Sequence, residues 1–121
     1  MIQDELQALC HEWQGVLRLQ DWDFYVKVKR QRDFSRDTSE GEFYPTLSKK
    51  EAAIYLLDQV DYPPDCLYSQ DEERILVHEL IHAHFAPFWD DAVEEHRVHM
   101  EQAIEAIAKA LVSLKRGKMS A

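Results

Sequence analysis

Apolar positions recur every three to four residues at the start of the chain. Ile2, Leu6, Leu9, Trp13, Val16 and Leu17 share one face of a helix running from Ile2 to Leu17. Gly15 weakens that helix near its end, and His11 lies off the apolar stripe, on the exposed side. The period then changes. From Trp22 to Lys29 the even positions are apolar and the odd positions mostly polar, the signature of a half-buried strand. Asp33 to Gly41 is polar and turn-like. Glu42 to Thr46 extends again, with Pro45 as an interruption. Ala52 to Leu57 is a short apolar run of strand-compatible residues. Pro63-Pro64 makes Asp58 to Leu67 a loop.

Two capping boxes mark the helices that follow. Ser69 with Glu72 opens a helix that runs to about Ala86 and stops at Pro87, leaving Phe88 and Trp89 in a short loop. Asp91 with Glu94 opens the last helix. Its helically spaced apolar positions are Val93, Met100, Ile104, Ile107, Leu111 and Leu114. Lys115, Arg116 and Gly117 form its C-terminal stop, and Lys118 to Ala121 fray. The predicted class is α+β: an N-terminal helix, a small mainly antiparallel sheet and two further helices. With 121 residues the chain suffices for one domain, 1–121, with one core.

Charge and composition narrow the function. The formal net charge is −9, opposite to the basic face that a nucleic-acid binder needs, so no nucleic-acid partner is expected. No apolar stretch is long enough to span a membrane, and Met1 to Glu5 has no signal-peptide character. A cytoplasmic location is the expectation. Cys10 and Cys66 sit in no paired motif and read as free buried thiols, which excludes a four-cysteine zinc site.

One segment carries chemistry: Val77-His78-Glu79-Leu80-Ile81-His82, in the middle of a predicted helix. Residues four apart stack on one helix face, so His78 and His82 can hold one metal ion. Glu79 is rotated to the side, where its carboxylate can act on a water as general base without ligating the ion. A chain of this length and composition contains such a pattern by chance roughly 0.03 times, so the match is informative. A catalytic zinc site takes three protein ligands and keeps one position open. The third must come from beyond Pro87, where Glu94, Glu95, His96, His99, Glu101 and Glu105 are the candidates. Glu101 is preferred, because it lies far enough past His82 for a chain reversal and borders the apolar stripe through Ile104 and Ala108. Glu105, one turn later, is either a partner of a histidine ligand or the ligand itself. His84 is two residues from His82 and faces elsewhere. Tyr44, Tyr55, Tyr62 and Tyr68 default to core packing, and Trp13, Trp22 and Trp89 to core or loop anchors.

The segment from Val77 to His82 resembles the active-site helix of the zincin metallopeptidases. Together with the strand after Trp22, the Ala-Ala-Ile-Tyr-Leu strand and the Glu-rich closing helix, it is similar to very small zincin-like proteins found in phage and prophage genomes. That resemblance implies a gluzincin-type site, with two histidines from one helix and a glutamate from the next. It implies a Zn2+-dependent peptidase acting on a peptide or protein. The alternative is a non-catalytic zinc-binding interaction module. The acidic charge and the lack of a cysteine zinc ribbon count against a zincin that acts on DNA-bound proteins.

Overall fold

The computed structural model describes residues 2–36, 39–64 and 70–117. Helix α1 (Gln3–Leu17) is followed by strands β1 (Asp23–Lys29), β2 (Gly41–Thr46) and β3 (Glu51–Leu57), then by helices α2 (Glu72–Trp89) and α3 (Glu94–Lys115). The α+β layout matches the expectation. Among the described residues no helix is long and apolar enough to cross a membrane.

The sheet has the order β1-β3-β2. A one-turn 3-10 segment at Leu47–Lys49, closed by Lys50 in the left-handed region, folds β2 back antiparallel onto β3. The other edge of β3 pairs with β1, and there the strands run parallel. The sheet is therefore mixed, and the antiparallel character expected holds for one of its two pairings. Pro45 does not interrupt β2, because β2 is an edge strand and an edge tolerates a missing N–H. The alternation read in the sequence puts Phe24, Val26, Ala52, Ile54 and Leu56 on the buried face.

On α1 the buried positions are Leu6, Cys10, Trp13 and Gln14, whereas Ile2 and Val16, expected on the apolar stripe, are exposed. The reason lies at the turn into β1. The buried Gln14 amide donates to the carbonyls of Leu19 (3.1 Å) and Trp22 (2.9 Å), which fixes the turn and rotates Val16 outward. Cys10 is a buried free thiol, pushed up to about 12 by burial, and so stays protonated. Cys66 and Tyr68 lie outside the described residues.

α2 is the central helix, touching α1, α3, β2 and β3. Its N-cap is Asp71, whose carboxylate accepts from the Arg74 N–H at 3.1 Å. Ser69, half of the expected capping box, lies outside the described residues. The helix runs through Pro87 to Trp89 instead of stopping before it. Pro87 falls in the last turn, where little of the backbone ladder remains to be broken, and the end is held from outside. Arg97 of α3 donates to the carbonyls of Trp89 (2.8 Å) and Asp90 (2.9 Å). The second capping box, Asp91 with Glu94, does not form. Val93, not Asp91, is the N-cap of α3, without a side-chain cap bond. On α3 the buried line is Ile104, Ala108 and Val112, while Ile107 and Leu114 are exposed. Gly117 closes the C-terminal stop with a φ of 68°.

Candidate metal centre

His78 and His82 lie one turn apart on the face of α2 that meets α3, and both side chains are largely buried. The α3 residue opposite them is Glu101. One carboxylate oxygen of Glu101 is 2.5 Å from His82 Nε2, and the other is 3.3 Å from His78 Nε2. Ligand atoms of the three residues all lie within 4.8 Å of one another. This group can hold a metal ion. Two imidazole nitrogens and one carboxylate oxygen suit zinc, though such a set does not select zinc uniquely.

The electrostatics follow from that convergence. Hydrogen bonds from His78 and His82 hold the Glu101 carboxyl far below the usual carboxylate range. Burial alone would lower the His78 pKa, but the Glu101 hydrogen bond and the charges of Glu79, Glu101 and Glu105 outweigh it and raise it. Protons here stand where a cation fits: a carboxylate kept ionised against two imidazoles.

Glu79 points to a different neighbour. It is 7% exposed, and its side chain makes no hydrogen bond or ion pair among the described residues, its oxygens keeping a little contact with solvent. Burial pushes its carboxyl up to about 7, with His78 and His82 pulling the other way. It packs against Gly41 of β2. A Cβ at Gly41 would sit 2.9 Å from Glu79 Oε2 and 2.8 Å from Ile75 Cγ2, so only glycine leaves the carboxylate its space.

Aromatic rings hold His82 on two sides. Phe43 of β2 stacks on it at 5.8 Å, and Trp89 meets it edge-on at 5.0 Å. His78 has a polar neighbour instead. Its Nδ1 is 3.5 Å from Glu105 Oε1, and Arg74 grips Glu105 with Nη1 at 2.9 and 2.8 Å from the two carboxylate oxygens. The other Arg74 nitrogen donates to Glu40 at 3.0 Å, just before β2. All of these residues line one cleft of about 800 Å³ between β2, α2 and α3.

Of the candidates for a third ligand, Glu101 alone is brought to the two histidines. Glu105 stands behind His78. Glu94, Glu95, His96 and His99 are exposed and outside the cluster. His84 contacts the end of α1, with Nε2 2.7 Å from the Leu17 carbonyl. Trp13 and Trp22 are buried, in line with their reading as anchors. Trp89 is helical and beside His82, not in a loop. Tyr44 is not a core residue: it is exposed on the cleft wall, with its hydroxyl donating to Ser35 Oγ at 3.0 Å. The sequence reading missed Gly41, Phe43 and Arg74. Arg74 carries a signal, since it lies four residues before His78 on the same helix face. Gly41 and Phe43 carry none, because their contacts depend on where the sheet edge docks.

No family model, no curated protein and no solved structure matches the chain.

Proposed function

We propose that the chain is a zinc-dependent hydrolase of peptide bonds. The observation that carries the reading is the pairing of two features at one place: a group that can hold a metal, made of His78 and His82 of α2 and Glu101 of α3, and beside it Glu79, a largely buried carboxyl whose side chain has no hydrogen-bond partner among the described residues, pushed up to about 7. His78, His82 and Glu101 would hold zinc, which when bound supplies Lewis acidity that lowers the pKa of water to about 7 and polarises a carbonyl. Glu79 moves the proton. Its carboxylate oxygen takes a proton from the attacking water as the new C–O bond forms, then delivers it to the amine nitrogen as the C–N bond breaks. A carboxyl raised to about 7 can do both near neutral pH.

The cleft supports a peptide as substrate. β2 is an edge strand along it, so one side of its backbone is free to pair with an extended chain. A purely structural zinc site would be closed by four protein ligands, and among the described residues the group has three. Such a site would also give Glu79 no reason to be an unpaired buried carboxyl.

The test joins metal content with turnover. Elemental mass spectrometry should find about one zinc per chain in the wild type, prepared without chelator, and none in the His78→Ala, His82→Ala double variant. Glu79→Gln should keep the zinc and lose at least about 100-fold in the hydrolysis of a peptide library, the lower end of what general base catalysis contributes. Undiminished hydrolysis by Glu79→Gln would end the mechanism, and a metal-free wild type that takes up no added zinc would end the whole reading.

A further inference from the structure

Resting on the metal site proposed above, we infer that Glu105, clamped by Arg74, is a positioning residue that sets the tautomer and ring orientation of His78. An imidazole offers a lone pair on one nitrogen only when the proton is on the other, and the partner of the second nitrogen decides which. At His78, Nε2 faces Glu101, and Nδ1 faces Glu105 Oε1 at 3.5 Å. With a cation in place of the Nε2–H that otherwise donates to Glu101, a proton on Nδ1 facing Glu105 leaves the Nε2 lone pair for the place where Glu101 and His82 converge.

Glu105 could spoil this arrangement in two ways, and Arg74 prevents both. A free carboxylate on α3 could turn to solvent and release His78, or turn inward and compete as a ligand. Arg74 Nη1 contacts both of its oxygens, at 2.9 and 2.8 Å, which fixes the plane of the carboxylate. Arg74 is itself fixed. Its side chain is 16% exposed, it lies on α2 one turn before His78, and its Nη2 is held by Glu40 at 3.0 Å. Glu40 precedes Gly41, the glycine against Glu79. One guanidinium therefore ties together the helix that carries the histidines, the helix that carries Glu101 and the approach to the cleft strand. Among the described residues His82 has no equivalent carboxylate behind it; Phe43 and Trp89 hold its ring instead.

The test measures zinc affinity by chelator competition for wild type, Glu105→Leu, Glu105→Gln and Arg74→Met, with Arg30→Gln as a remote ion-pair control. Proton NMR of the zinc-loaded proteins follows the His78 Nδ1 proton, which a carboxylate acceptor protects from exchange with water. The expected result is zinc binding weakened 10- to 100-fold in Glu105→Leu, with the His78 Nδ1 proton exchanging faster. Glu105→Gln, which keeps an acceptor, should recover part of both, Arg74→Met should fall between, and the control should match wild type. Wild-type affinity within twofold in Glu105→Leu, or an unchanged exchange rate of the His78 Nδ1 proton, overturns the inference while leaving the zinc site standing. A wild type that binds no zinc overturns both.

Discussion

Ionising Glu79 in the metal-free protein places a charge where water hardly reaches. Its folded pKa, about 7, lies above its ordinary 4.5, so the folded state binds the proton more tightly than the unfolded chain does. The stability this contributes is fully present below about pH 4.5 and is lost as pH rises through 7. Glu79→Gln removes the titration and keeps the shape. Metal-free Glu79→Gln should therefore be more stable than metal-free wild type at pH 8, by up to about 3 kcal/mol if the whole shift is expressed, and the gap should close at pH 4. Urea melts of both proteins at the two pH values measure it; equal stability at pH 8 would mean that the carboxylate is solvated. Gly41→Ala makes a separate claim. The added Cβ would meet Ile75 and Glu79 at under 3 Å, so either β2 or the Glu79 carboxylate must shift. Peptide turnover should fall at least about 10-fold, with zinc content unchanged, because His78, His82 and Glu101 lie on the other helix faces. The histidine pair was legible in the sequence from helical spacing, whereas its glutamate was the preferred one of six candidates beyond Pro87 until the packing of α3 on α2 brought Glu101 to the pair. The unpaired state of Glu79 was not, since it depends on a strand that arrives from far along the chain.

At the scale of elements, periodicity predicted the order of helices and strands, because each buries one face and the burial period survives in the sequence. Ends were less legible. Ser69, Asp91 and Pro87 gave local signals for a start, a start and a stop, and the chain overrides the last two through contacts that come from elsewhere. Arg97 is the clearest case. It reaches back from α3 to the last carbonyls of α2 and lets that helix continue past Pro87, which brings Trp89 against His82. Arg97→Met should uncap α2. Two hydrogen bonds from a charged, partly exposed donor give a cost of roughly 1–2 kcal/mol, read as a lower urea midpoint with unchanged slope. Loss of the indole from His82 should also alter tryptophan fluorescence in the native state. The opposite end of the helix pair is bound by charge. Arg116 meets Asp71 at 2.8 and 2.9 Å and Glu73 at 3.2 Å, and Lys115 reaches Glu73 at 2.6 Å. The Arg116 hydrogen bond holds Asp71 below its ordinary range. A depressed carboxyl stabilises above its unfolded pKa of about 3.8 and loses that contribution as pH falls through the folded value. Arg116→Gln should therefore narrow the stability difference between pH 6 and pH 3, as seen by circular dichroism during acid titration.

Across the whole molecule, the metal group is where the two halves of the fold meet. α1, the sheet and most of α2 share one apolar core, while α3 closes over them through Ile104, Ala108 and Val112 on one flank and Glu101 on the other. Without a cation, the junction at Glu101 rests in part on His78, whose folded pKa is raised and whose contribution is lost as pH rises through it. A ligand that binds the folded form alone stabilises it by RT ln(1 + [L]/Kd), about 2.7 kcal/mol at a hundredfold excess over Kd. For a chain of this size that corresponds to a rise of roughly 10 °C in melting temperature. The rise should appear on adding zinc at pH 7.5, reverse with chelator and vanish in His82→Ala. It should be larger at pH 8 than at pH 6, because at the lower pH zinc must displace a proton from His78. A zinc-dependent shift that persists in His82→Ala would place the ion elsewhere on this acidic surface, and the convergence of His78, His82 and Glu101 would then be an ion pair and nothing more.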